Sequence, residues 1–333
     1  MTRGIYSSLL SQDGYANSEK DWFIELIQSN IYWYDLLVNE HKLFDTRKLI
    51  KDELLQHKKI VEENLEKRFI YFISSRTKVR FDKKKQPKTT LFTKKLKVYL
   101  LIGKNQKRIS VTVPLLRKDN KPITALVDEK FITIDSSETD KISMSVHDFL
   151  VNFNIDLGIY SKVQYVGYTK NPETRPTNGA HTGLSNILHN VPNDEDDIFI
   201  SFNIFKVTTK AVDTQSNIDF IISNSMTDEV GVDLEGLIIE KCFILYFDSN
   251  NQVLNKKNER MQLTNNLIKL KKGNNINSIQ ILYEMEAPNE YFTLSSDVVP
   301  PKIQHLFTVE EMNNEITIQN GSKMYSASYE ESV

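Results

Sequence analysis

The chain has 333 residues, 40% apolar and 26% charged, with a formal net charge of −2, so it describes a globular protein of two or three units rather than a polycation that coats nucleic acid indiscriminately. A single cysteine, Cys242, excludes an internal disulfide and a multi-cysteine zinc site, and the six histidines show no His-x-x-x-His spacing. No apolar run approaches the roughly 18 residues of a membrane helix and no secretory pattern opens the chain, so a cytoplasmic protein without membrane association is expected.

From 21 to 39 the residues Trp22, Phe23, Leu26, Ile27, Ile31, Tyr34 and Leu37 recur at three- and four-residue intervals, which predicts a helix. A second helix, capped by Asp45 or Thr46, is expected to run to about residue 72 through Leu49, Leu54, Ile60, Val61, Leu65 and Phe69. The pair forms an antiparallel hairpin whose apolar face needs cover, from the rest of the chain or from a partner protein or second copy. Residues 80–97 are basic, with Lys83-Lys84-Lys85 and Lys94-Lys95, and read either as a solvated loop or linker or as a loop against DNA phosphates.

Beyond them the period becomes that of strands. Residues 96–102 and 108–116 flank Gly103-Lys104-Asn105 as a hairpin, and 123–127, 130–135 and 141–145 continue the pattern. Ser145 can cap a short helix carrying Phe149, Leu150 and Phe153. A short helix is expected over 181–191 and an apolar interior strand over 197–207. Residues 228–248 read as a helix, although the half from Cys242 to Phe247 is also a good strand. The tail is β-rich at 278–285, 291–294 and 315–319.

The segment 163–181 carries the chemistry. A β-branched and aromatic strand ends on Tyr165-Val166-Gly167, a polar turn Thr169-Lys170-Asn171-Pro172 follows, Arg175 stands ten residues after Tyr165, and His181 comes soon after. An arginine offers a bidentate fork to phosphate oxygens, and tyrosine or histidine can take a proton from water. Histidine needs less tuning for that role than a phenol, whose unperturbed pKa is about 10. Tyr165 and Tyr168 are three apart, so on a strand they face opposite sides and at most one enters a given site. Of the two glutamates at 235 and 240, a helix sets the side chains about 140° apart, so they do not share one metal.

This pattern resembles the second half of the GIY-YIG nuclease signature, in which a strand ends in Tyr-Ile/Val-Gly and an arginine follows on a short helix. A later helix in that family presents one metal-binding glutamate followed by an asparagine, and Ile239-Glu240-Lys241-Cys242-Phe243-Ile244 with Leu254-Asn255 is similar to it. The resemblance spans about residues 150–260. It implies catalytic roles for Tyr165, Arg175, His181, Tyr160 and Tyr168, a Mg²⁺ or Mn²⁺ ion on Glu240, and phosphate or DNA contacts from Lys170 and Asn255.

The literal triplet Gly158-Ile159-Tyr160 is present, but only Ser161–Gln164 separate it from Tyr165, a shorter span than the family's hairpin. Either that hairpin turns tightly or the triplet is accidental, as Gly4-Ile5-Tyr6 shows it can be.

The expected fold is α+β: a small GIY-YIG-like three-stranded sheet with helices, an N-terminal helical hairpin, and additional β-rich units. Expected divisions are a helical region at 1–95, a β-rich unit at 96–144, the nuclease-like domain at 145–265 and a β-rich region at 266–333. The expected function is a metal-dependent endonuclease acting on double-stranded DNA in restriction, phage defence or a mobile element. The alternative is a catalytically inactive nucleic-acid-binding or assembly subunit.

Overall fold

The computed structural model describes residues 2–38, 45–63, 65–90, 95–114, 124–135, 141–175, 182–192, 194–213, 218–250, 252, 256–285 and 289–321. The chain is mixed α and β with several sheets. In chain order, the first elements are α1 (Asp13–Ala16), β1 (Glu19–Trp33), α2 (Asp35–Val38), α3 (Thr46–Glu63) and β2 (Phe69–Thr77).

The helix expected over 21–39 is therefore a strand, and the helical hairpin does not form. In β1, Lys20, Trp22, Ile24 and Leu26 are buried alternately, the period of a pleated strand. A bulge between Leu26 and Gln28 then shifts the parity, so the apolar positions on its two sides together imitate helical spacing. The second expected helix also stops early, at Glu63. From Phe69 to Arg76 every residue of β2 is buried, as suits an interior strand covered on both faces.

Four strands follow, β3 (Val79–Phe81), β4 (Lys88–Thr90), β5 (Lys95–Ile102) and β6 (Lys107–Pro114), forming a separate antiparallel sheet in which β5 pairs with all three others. The turn at Gly103 joins β5 to β6, as its sequence predicts. A three-stranded sheet of β7 (Ala125–Val127), β8 (Phe131–Asp135) and β9 (Lys141–Ser145) leads into α4 (Val146–Asn152). Ser145 caps α4 in a capping box with Asp148.

The chain then returns to the first sheet as β10 (Ser161–Thr169), α5 (Thr182–Asn190), β11 (Asp196–Asp213), β12 (Ile218–Ser223), α6 (Asn224–Thr227), α7 (Val232–Phe247), α8 (Lys256–Asn274), β13 (Ile276–Tyr283), β14 (Leu294–Ser295), β15 (His305–Met312) and β16 (Glu315–Asn320). Residues 242–247 are helical throughout. Among the described residues, nine strands make this sheet, in the order β14-β10-β2-β11-β1-β13-β15-β16 with β12 paired on β11. Strands from the segments 1–95, 145–265 and 266–333 are thus hydrogen-bonded side by side, and the sheet is far larger than the three strands expected.

One face of the sheet packs against α7 and α8 in a core of Trp22, Ile24, Phe72, Phe205, Phe243 and Phe307. The other face packs against α3 and α5 through Leu54, Tyr71, Leu184, Ile187 and Phe202. A third core, around Phe81, Leu100, Ile132 and Phe149, joins the two smaller sheets and reaches Trp33 and Phe199. Buried charge ties this unit down: Arg80 forks onto Asp197 at 2.7 and 2.8 Å, and His147 lies between Asp197 (3.1 Å) and the Tyr291 hydroxyl (2.9 Å).

Candidate functional site

β10 runs antiparallel to β2, with Gly167 opposite Tyr71 and Tyr165 opposite Ile73. Ser161–Thr169 is one continuous strand, so no tight turn occurs between 161 and 164. Gly158-Ile159-Tyr160 lies in the preceding loop, and Tyr160 is 51% exposed. The strand partner of Tyr165-Val166-Gly167 is instead Tyr71-Phe72-Ile73, and the whole stretch 78–160 stands between the two paired strands in sequence.

Gly167 makes the next contact possible. A Cβ there would overlap the Tyr71 ring, so the missing side chain lets that ring lie across β10. Tyr71 stacks on Tyr165 with centroids 6.0 Å apart and planes at 23°, and their hydroxyls share a hydrogen bond. Tyr168 sits on the opposite face, as the three-residue spacing requires, against Gly236 of α7. Its hydroxyl donates to Asp233 at 2.7 Å, and Lys170 pairs with the same carboxylate, so neither is directed at the Tyr71–Tyr165 pair.

The outer edge of β10 is paired only at Ser161 and Lys162, by β14. Side chains satisfy part of the rest. Gln252 accepts from the Val166 N–H at 3.0 Å and donates to its carbonyl at 2.8 Å, while the Tyr168 N–H donates to the carboxylate of Glu240 on α7. Burial pushes Glu240 up to about 7; Lys241 and Arg175 pull it down and Glu259 of α8 pushes it further up. Glu259 itself is ion-paired with Lys241. Arg175 ends an exposed turn, its N–H donating to the Asn171 carbonyl at 2.9 Å, and Lys58 of α3 braces that turn by donating to Asn171 Oδ1 at 2.6 Å.

Burial raises the phenols of Tyr71 and Tyr165 above the usual tyrosine range; Arg175 lowers both and Glu240 raises both. Tyr71 and Tyr165 thus share Arg175 and Glu240 as electrostatic neighbours, with the phenols on the α3–α5 side of the sheet and Glu240 on α7, which packs on the other. Glu235, one turn and a half earlier on α7, is fully buried against Arg3, Arg68 and Asn224. His181 and Asn255 lie outside the described residues.

Sequence reasoning missed Tyr71, because Phe69-Ile70-Tyr71 was absorbed into the end of an expected helix. It also missed Lys241 and Glu259. A signal for Tyr71 was present in the β-branched and aromatic run from Phe69 to Ile73. Among the described residues, no three His, Cys, Asp or Glu side chains group to hold a metal, so a cation here would rest on Glu240 with Glu259 nearby. No family model matches the chain, and no curated protein or solved structure is significantly similar to it.

Proposed function

We propose that the chain is a metal-dependent DNA endonuclease of GIY-YIG type, with Tyr71, Tyr165, Arg175 and Glu240 at its centre. The observation that carries this reading is the stacked, hydrogen-bonded pair of phenols, with an exposed guanidinium and a half-buried carboxylate as its shared electrostatic neighbours. The family's paired first strand would be β2, which begins with Phe69-Ile70-Tyr71, and the hairpin loop would be replaced by residues 78–160.

In this reading Arg175 neutralises the non-bridging phosphate oxygens and stabilises the charge that builds on phosphorus. One phenol of the Tyr71–Tyr165 pair receives the proton of the attacking water, and the hydrogen bond between the two spreads that charge. Arg175 favours the phenolate of either tyrosine, opposing the burial that holds them protonated.

Glu240 suits a Mg²⁺ or Mn²⁺ ion, because such ions use one or two carboxylates plus water and phosphate oxygens, and a carboxylate raised to about 7 gains most from an adjacent cation. When bound, the ion supplies charge neutralisation and an acidified water. Restriction, phage defence or transfer of a mobile element would be the biological settings for such a nuclease.

Purified protein with Mg²⁺ is expected to cleave duplex DNA, and Arg175→Ala to abolish cleavage while leaving the melting temperature unchanged. Equal nicking by both proteins would sink the reading. The raised phenols favour a second reading, a catalytically inactive nucleic-acid-binding or assembly subunit. DNA binding with no cleavage under any divalent ion would select it.

A further inference from the structure

Between residues 78 and 114, twelve lysines and arginines accompany one acidic residue, Asp82, in a chain whose net charge is −2. The positive charge is therefore concentrated in the sheet of β3 to β6, and the remainder of the chain is acidic. Burial alternates along β5: Leu96 and Val98 point into the core, whereas Lys95 and Lys97 are exposed.

The register puts Lys88 of β4 directly opposite Lys97, and Ser110 and Thr112 of β6 opposite Tyr99 and Lys97. Like charges facing each other across a pair destabilise it. Among the described residues, none of Lys85, Lys88, Lys95 and Lys97 has a carboxylate partner. Instead Lys85 Nζ sits 4.1 Å and Lys97 Nζ 5.7 Å from the centre of the Tyr99 ring. The neighbouring 620 Å³ cleft is not part of this face's charge, since its Lys83, Lys104 and Arg108 are ion-paired with Glu129, with Asp194 and Glu195, and with Asp82.

We propose that this face of the inserted sheet binds the phosphate backbone of duplex DNA, with Lys85, Lys88, Lys95 and Lys97 as the anchoring cations. Uncompensated cations, hydroxyl neighbours and an aromatic ring on one face form a surface for a polyanion, which relieves the repulsion between Lys88 and Lys97. The choice of DNA rests on the endonuclease reading. The insert leaves β2 at Thr77, about 20 Å along the strand from Tyr71.

The test is fluorescence anisotropy of the full chain with labelled duplex DNA, in EDTA, across a salt series of about 50 to 200 mM. One variant carries Lys85→Gln, Lys88→Gln, Lys95→Gln and Lys97→Gln. A control of equal charge carries Lys257→Gln, Lys269→Gln, Lys271→Gln and Lys272→Gln on exposed positions of α8. Circular dichroism and melting establish that both fold.

The insert variant is expected to bind more weakly and to lower the slope of log K against log salt by about 3 to 4, since each lost phosphate contact removes about 0.9. The control is expected to match wild type. Unchanged binding by the insert variant, equal loss in the control, or binding of heparin and single-stranded RNA but not duplex DNA would overturn the proposal. Binding through this face without cleavage in Mg²⁺ would defeat the endonuclease reading and leave this one standing. Cleavage by an insert variant of unchanged affinity would do the reverse.

Discussion

Glu240 and Gly167 show how single side chains set the chemistry of the β10 edge. Glu240 lies between the edge of β10 and the apolar flank of α7, and burial lifts its carboxyl from 4.5 to about 7. A carboxylate raised in the folded state binds its proton more tightly there than in the unfolded chain. Stability from this group is therefore greatest at low pH and falls as pH rises from about 4.5 through 7. Glu240→Gln removes that loss and is expected to stabilise the fold by about 1–3 kcal/mol at pH 8, with no gain below pH 4.5, read by urea denaturation at both pH values.

The same substitution is expected to abolish Mg²⁺-dependent cleavage, whereas wild-type cleavage rises with pH through about 7 as the carboxylate becomes available. A destabilising Gln at pH 8 would contradict the burial account. Gly167 is the second case: its missing Cβ admits the Tyr71 ring. Gly167→Ala is expected to displace that phenol from Tyr165 and lower the cleavage rate by about 10²-fold, with DNA affinity in EDTA unchanged. An unaltered rate would remove Tyr71 from the mechanism.

At the scale of elements, the β2–β10 pair carries the candidate site and the insert between them is clamped by buried charge. Asp197 at the start of β11 takes Arg80 from β3, His147 from α4 and the Val79 N–H, and these groups hold its carboxyl well below the usual range. Burial, the largest influence on His147, lowers its pKa, so the ring is neutral and pairs with Tyr291 as well as Asp197. Asp197→Ala strands a buried guanidinium and is expected to cost about 3–5 kcal/mol in equilibrium unfolding, the opposite sign from the Glu240 change.

Several elements were legible in advance because local chemistry decides them: the Ser145 cap, the turn at Gly103, and the continuous apolar run that becomes α7. β1 was not legible. Its bulge gave it a helix-like spacing, and only hydrogen bonding to β11 on one side and β13 on the other makes it a strand.

At the scale of the molecule, the nine strands come from nearly the full length of the chain, so a local reading underestimated the sheet. The helix- and strand-period patterns pointed to the mixed α and β class that forms, the single cysteine excludes an internal disulfide, and among the described residues no helix is long and apolar enough to cross a membrane. The sequence by itself determined the Tyr165–Arg175 spacing, the helix bearing Glu240, and the basic run that becomes the inserted sheet. Tertiary structure alone decided that Tyr71, not Tyr160, meets Tyr165, because strand pairing joins residues about ninety positions apart in sequence and no local periodicity encodes which strands will pair.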